Sequence, residues 1–301
     1  MSILRSVLPI TYPALRVMKS LRRTFTRTAS PDLRVLLYHD VAPSAFDHFA
    51  RQLRWLSQRW RFITPTEFEA IVDGRALPQQ DSLLLTFDDG FASNLQVAQQ
   101  ILEPADIKAL FFVASDFIDQ SDTAAAHRFI HERLKVGSSP EALPAHWVNM
   151  SWNDLLKLRE LGHTVGAHTA SHERLTSRLP LNVMQHEIIA AADRMQEKLG
   201  APVRHFAFPF GDFSSFSQEA MQVAAQRFDY IYSGLRGNNL PSPQRHALRR
   251  DSQTPGDSMQ LLGAFLEGAS DLRYRRLNKI LDSWAESVRP RSVPPLKKVE
   301  Q

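Results

Sequence analysis

Ser82-Leu83-Leu84-Leu85-Thr86-Phe87 runs directly into Asp88-Asp89-Gly90. The first six residues form a nearly continuous apolar run, the pattern of a strand buried on both faces. The next three are turn formers. Two adjacent carboxylates therefore stand at the carboxyl end of a buried strand. Held that close they repel each other and call for a cation.

Outward from this run, short apolar strands alternate with helical patterns. On the amino side, Val35 to Tyr38 reads as a strand, and Phe46, Phe49, Leu53 and Leu56 mark one helix face. Phe62-Ile63 is a short strand, and Pro65 opens a helix that stops at Gly74. On the carboxyl side a helix is expected over Leu95 to Leu102 and a buried strand over Ala109 to Val113. Residues 119–149 break the rhythm with a helix over His127 to Val136 and a Gly-Ser-Ser-Pro loop, and read as an insertion that walls or covers a site. Ser151 and Asp154 have capping-box spacing, and Gly162 is a stop. Further strands are expected at Thr164 to Ala167, His205 to Phe208, Tyr230 to Tyr232 and Ala247-Leu248. Helices are expected at Val183 to Leu199, ended by Gly200, and at Ser258 to Phe265, resuming over Leu277 to Trp284. This alternation predicts a parallel sheet with helices outside, either open or closed into a barrel. In both cases the functional rim lies at the carboxyl ends of the strands.

Three further polar or turn segments fall on that rim. His168-Thr169-Ala170-Ser171-His172 follows the Val165 strand. Coiled into one turn, it presents both imidazoles to one side. With Asp89 they form a two-histidine, one-carboxylate set, which leaves Asp88 beside the same water as a base. Zinc is the first expectation, and cobalt, nickel, manganese and iron suit the same donors. His39 ends the first strand, where an imidazole is either a hydrogen-bonded structural group or a general acid for a leaving amine. Pro209-Phe210-Gly211 follows the Phe206-Ala207-Phe208 strand, and a backbone N–H there is placed to meet an oxyanion. Phe91, Trp147, Trp152 and Phe213 are candidates for stacking on sugar faces, with core packing as the plain alternative.

The 301 residues include no cysteine, which removes disulfides, thiolate metal sites and cysteine nucleophiles. No apolar run approaches the ~18 residues that span a bilayer. Arg5 precedes a short apolar stretch that Pro9, Pro13 and Arg16 interrupt, so the start reads as a leader without an export signal. The net charge of +4 is unevenly spread. Lys19, Arg22, Arg23, Arg27 and Arg34 crowd the start, and Arg273, Arg275, Arg276, Lys279, Arg289, Arg291, Lys297 and Lys298 crowd the end. These are solvated tails or a peripheral contact with an anionic membrane surface or glycan carrier. No nucleic-acid module is recognisable, so nucleic acid is not an expected partner.

The Thr86-Phe87-Asp88-Asp89-Gly90 and His168-Thr169-Ala170-Ser171-His172 blocks, in this order, resemble those of the polysaccharide deacetylases of the carbohydrate esterase type. That family includes chitin, peptidoglycan and poly-N-acetylglucosamine deacetylases. The resemblance spans about Arg34 to Asp251. It implies an irregular (β/α)7-type barrel and metal-dependent deacetylation of sugars. It further implies Asp88 as base, Asp89, His168 and His172 as metal ligands, and the Phe210 N–H as oxyanion donor. Many members carry an arginine where this chain has Ala207. The Phe-Ala-Phe-Pro-Phe-Gly version is similar to the poly-N-acetylglucosamine branch, which also has a Tyr-His block matching Tyr38-His39, with the histidine as acid. Arg250 resembles the arginine of a late Leu-Pro-Arg motif and would support Asp88.

The expected organisation is a basic leader over 1–30, a catalytic domain over 31–254, and a C-terminal helix with basic tail over 255–301. The expected activity is removal of acetyl groups from N-acetylated amino sugars of a glycan or a lipid- or nucleotide-linked saccharide. The alternatives are hydrolysis of a non-sugar amide or formamide, and a glycan-binding protein with an impaired site, for which Ala207 is the main support. The weak leader favours a cytoplasmic, membrane-associated place of work over an exported one.

Overall fold

The computed structural model describes residues 3–25 and 30–288. After helix α1 (Ile3–Phe25) the chain alternates strand and helix: β1 (Leu33–Tyr38), α2 (Phe46–Ser57), β2 (Arg61–Phe62), α3 (Pro65–Val72) and β3 (Ser82–Phe87). Then come α4 (Ser93–Val97), β4 (Ala109–Val113), α5 (Ser115–Ile118), α6 (Thr123–Phe129), α7 (Trp152–Glu160) and β5 (Thr164–Ala167). The remainder is α8 (Leu181–Gln185), α9 (Ala191–Leu199), β6 (His205–Ala207), α10 (Gln218–Ala225), β7 (Tyr230–Tyr232), β8 (Asp251–Ser252), α11 (Met259–Leu266) and α12 (Asp271–Ser287). Wider-wound turns extend α4 to Leu102 and α6 to Leu134, and join α8 to α9.

Every strand pairing is parallel, in the order β7-β6-β5-β4-β3-β1-β8, with β2 beside β3. The sheet curls. Leu248 bridges Tyr232 of β7, and three residues later Asp251 pairs with Leu36 of β1. The two edges of the sheet are thus drawn together by short pairings, as an irregular barrel requires.

Both faces are buried, with strict alternation. Leu33 and Val35, Leu84, Leu110 and Phe112, and Tyr230 and Tyr232 line the interior, where Phe68, Ile71 and Val72 of α3 join them. Leu36 and Tyr38, Leu83, Leu85 and Phe87, Phe111 and Val113, and Phe206 and Ile231 face the helical layer. Gly166 lets β5 approach Phe112, since a Cβ there would lie 2.7 Å from that ring. The expected caps are present: Thr64 and Glu67 form a capping box on α3, and Ser151 and Asp154 form one on α7.

Residues 119–149 contribute Phe129, Ile130, Leu134, Leu143 and Trp147 to a separate cluster that they share with Phe91 and Phe117. At the other end of the chain, Leu262, Leu266, Leu281 and Ala285 join the main helical-layer core. The start of the chain docks separately, Leu8 and Tyr12 packing on Leu261, Ala264 and Phe265. Arg34 belongs to no tail: it is buried and pairs with Asp271 and Asp251. Lys19 is likewise engaged, by Asp32, Asp81 and Glu267. Arg27, Arg289, Arg291, Lys297 and Lys298 lie outside the described residues.

Candidate metal centre

The carboxyl ends of β3, β5 and β6 meet at one rim. At the first, the ladder continues for one residue, Asp88 N–H donating to the Tyr38 carbonyl at 2.9 Å. Asp89 (φ 74°) and Gly90 (φ 106°) then take left-handed conformations and end the strand. Three bonds fix the turn: Gly90 N–H to Asp88 O, Ala114 N–H to Asp89 O, and Met150 N–H to Gly90 O. At the second, His168 N–H donates to Val113 O, and Thr169 (φ 67°) and His172 (φ 60°) fold the segment into a compact loop. Phe210 (φ 61°) turns the third. Among the described residues six non-glycine positions have positive φ, and four of them line this rim. Such conformations cost about 1–3 kcal/mol each and persist where the surroundings over-determine them.

This geometry brings Asp89, His168 and His172 together. Asp89 Oδ1 is 3.6 Å from His168 Nε2 and 3.5 Å from His172 Nε2. One ligand atom from each of the three residues lies within 4.8 Å of the others, and all three residues are buried. His168 Nδ1 is 2.8 Å from the Ala207 carbonyl and His172 Nδ1 is 3.3 Å from the Arg133 carbonyl. A carbonyl only accepts, so both Nδ1 atoms carry the proton and both Nε2 lone pairs face the carboxylate. Burial holds His168 below the ordinary imidazole value, and burial lowers His172 to about 4, so both stay neutral as ligands must. Asp89 Oδ1 is buried with no hydrogen-bond partner among the described residues. An orphaned carboxylate oxygen opposite two imidazole lone pairs fits a divalent ion.

Asp88 is built differently. Arg250 Nη1 and Nη2 donate to its two oxygens at 2.6 and 2.9 Å, and both residues are buried. Burial alone would raise the Asp88 carboxyl, but the Arg250 guanidinium outweighs it and holds it below its usual value. Arg250 is itself fixed, its Nε donating to Ser233 O at 2.9 Å and its guanidinium lying over the Phe112 ring. Ala207 shares that interior face with Phe112, and the arginine beside Asp88 comes from position 250. His39 is exposed at the end of β1. Its neighbour Asp40 accepts from Ser93 Oγ and from Trp147 Nε1, which ties the inserted segment to the rim.

The Phe210 ring packs on His172 at 4.5 Å and lies under the Arg174 guanidinium at 4.0 Å. Among the described residues the Phe210 N–H makes no hydrogen bond. A Cβ on Gly211 would lie 2.6 Å from the Gly234 nitrogen, so only glycine allows that crossing. The aromatic candidates divide. Trp147 reaches the rim through Asp40, while Phe91 is buried. Phe213 stacks on Trp284, and Trp152 bonds to Asp119 in the helical layer.

Two supports escaped the sequence reading. Glu187 accepts from Ser171 N–H and Oγ at 2.9 and 2.7 Å, clamping the loop between the two histidines. The Arg133 carbonyl that orients His172 comes from the insertion. A backbone carbonyl leaves no trace in sequence, and Glu187 sits in an amphipathic helical pattern where an acid reads as solvated.

Comparison with known proteins fits this geometry. The family profile described as polysaccharide deacetylase matches residues 76–228. YxkH of Bacillus subtilis (strain 168), whose name places it in the same family, is 21% identical over 243 residues, which cover 78% of this chain and 76% of that protein. Two solved structures share the fold. IcaB from Ammonifex degensii has a TM-score of 0.62 at 24% identity, covering 79% of this chain and 98% of that one. The deacetylase PplD of Streptococcus pyogenes, solved in complex with acetate, has a TM-score of 0.58 at 20% identity, covering 78% and 97%.

Proposed function

We propose that this chain, which belongs to the polysaccharide deacetylase family, is a metal-dependent hydrolase that removes acetyl groups from N-acetylated amino sugars of a glycan or of a lipid- or nucleotide-linked saccharide. The observation that carries the reading is the buried Asp89–His168–His172 cluster with an ionised, arginine-held Asp88 beside it. A divalent ion held by those three residues, zinc being our first assignment, would supply Lewis-acid polarisation of the acetyl carbonyl and ease deprotonation of the attacking water.

The chain's own groups supply the remaining steps. Asp88 is kept ionised by Arg250 and takes the proton from water as its oxygen bonds to the acetyl carbon. The Phe210 N–H donates to the oxygen on which negative charge develops. His39, exposed at the rim, gives a proton to the departing nitrogen as the C–N bond breaks. The products are acetate and a free amino sugar. From the basic residues near the start and end of the sequence we further propose peripheral contact with an anionic membrane surface on its cytoplasmic side.

Intact metal and base positions favour catalysis over a binding protein with a dead site. A substrate panel separates the readings. N-acetylglucosamine oligomers, together with lipid- and nucleotide-linked N-acetylated sugars, are expected to yield acetate and primary amine in equal amounts. Formate release, or acetate from non-sugar amides alone, would move the reading to an amide or formamide hydrolase. Binding without any release would make it a glycan-binding protein.

A further inference from the structure

We propose that α1 lies flat on an anionic lipid bilayer and anchors the enzyme there. This inference does not depend on the deacetylase reading. One face of α1 is already used: Leu8 and Tyr12 pack on Leu261, Ala264 and Phe265 of α11, and the Tyr12 ring sits 5.6 Å from that of Trp55. Gly263 makes room for it, since a Cβ there would lie 2.4 Å from the Tyr12 ring. A different face is left bare. Ile10, Val17, Met18 and Leu21 are 78%, 58%, 65% and 52% exposed, and Ala14 is exposed between them. Positions 10, 14, 17, 18 and 21 recur at helical spacing, so these side chains form one continuous stripe. Single exposed apolar residues are ordinary on a protein surface, but a row of them marks an interaction site.

Charge selects the occupant. Residues 1–31 hold six Lys and Arg (Arg5, Arg16, Lys19, Arg22, Arg23 and Arg27) and no Asp or Glu. Lys19 is taken by Asp32, Asp81 and Glu267. With no acidic residue among them, the basic residues of this stretch of sequence give it a net positive charge around an apolar stripe, the combination that binds anionic headgroups while the stripe enters the acyl boundary. A second copy of the chain would set two cationic helices against each other. Among the described residues no helix is long and apolar enough to cross a membrane. The contacts of Lys19 also fix where the anchor sits. Asp32 and Asp81 immediately precede β1 and β3, so this part of α1 is at the amino ends of strands whose carboxyl ends carry His39 and Asp88. Six-residue strands separate the two ends by about 20 Å, which leaves the catalytic rim clear of the surface.

Cosedimentation of the full chain with vesicles tests this, using phosphatidylcholine alone or mixed with phosphatidylglycerol. Binding is expected only to the mixed vesicles and is expected to weaken as salt is raised. The exposed pair Val17→Glu and Leu21→Glu should reduce it by about tenfold or more, with the thermal melt unchanged. Three results would overturn the proposal. One is no binding to anionic vesicles at low salt. Another is undiminished binding by the double variant, which would assign contact to the charges alone. The third is a dimer in solution that the double variant dissolves, which would mean that a second copy covers the stripe.

Discussion

Asp88→Asn is expected to lower turnover by about 10³-fold while leaving the bound metal in place. The three residues that would hold the ion are untouched by this change. Their histidines are oriented by the Ala207 and Arg133 carbonyls, not by Asp88. The amide keeps the side chain's size and still accepts one bond from Arg250, which also retains Ser233 O. What is lost is the carboxylate proposed to take the proton from water. One Arg250 N–H then loses its acceptor and the buried guanidinium loses its counter-charge, so a stability loss of about 3–5 kcal/mol should accompany the change. Metal content, a thermal melt and single-turnover acetate release on the same preparation separate these effects. Normal turnover in this variant would remove Asp88 from the base role, and loss of metal would show that it is a ligand.

Arg250→Met is expected to be as damaging by another route. The arginine and Asp88 are both buried and share two short hydrogen bonds. Removing one partner of such a pair strands the other charge, at about 3–5 kcal/mol, a large part of the 5–15 kcal/mol by which domains are usually stable. The pH dependence has a defined sign. In the native chain Asp88 is held below its ordinary value, so its pairing contributes stability above the unfolded carboxylate pKa. That contribution is lost as pH falls through the lower folded value. Without Arg250, burial dominates and the carboxyl rises. The variant should then recover part of its lost stability on mild acidification. The acidic limb of its kcat/KM profile should move to higher pH, because the base is protonated sooner. A melt and an acidic limb both matching the native protein would show that Arg250 does not hold Asp88 in solution.

The contrast between these two residues shows what a sequence exposes. Strands β3, β4, β5 and β7 are legible to the residue, because burial on both faces demands an apolar run that polar turns bound on each side. The carboxylates and imidazoles are legible for the same reason, as each set directly follows such a run. Strand β8 is not. A strand is expected at Ala247-Leu248, whereas the paired residues are Asp251–Ser252, and only the family resemblance sets Arg250 beside Asp88; Arg250 and Asp251 are buried because Asp88 and Arg34 neutralise them. The Asp88–Arg250 contact spans 162 residues, and only closure of the sheet through Leu248 and Asp251 brings the two together. Helix α1 was obscured by Pro9 and Pro13, which stand inside it. Its docking on α11 holds a helix that propensity alone disfavours.

The most direct test of the central claim is a metal titration of acetate release. Purified chain is stripped with a chelator and assayed on N-acetylglucosamine oligomers while zinc or cobalt is added back, beside His168→Ala. The account predicts no release from the stripped protein, recovery that saturates at one ion per chain, and neither binding nor recovery in the variant. Acetate release that survives complete removal of metal, or full recovery in His168→Ala, would contradict it.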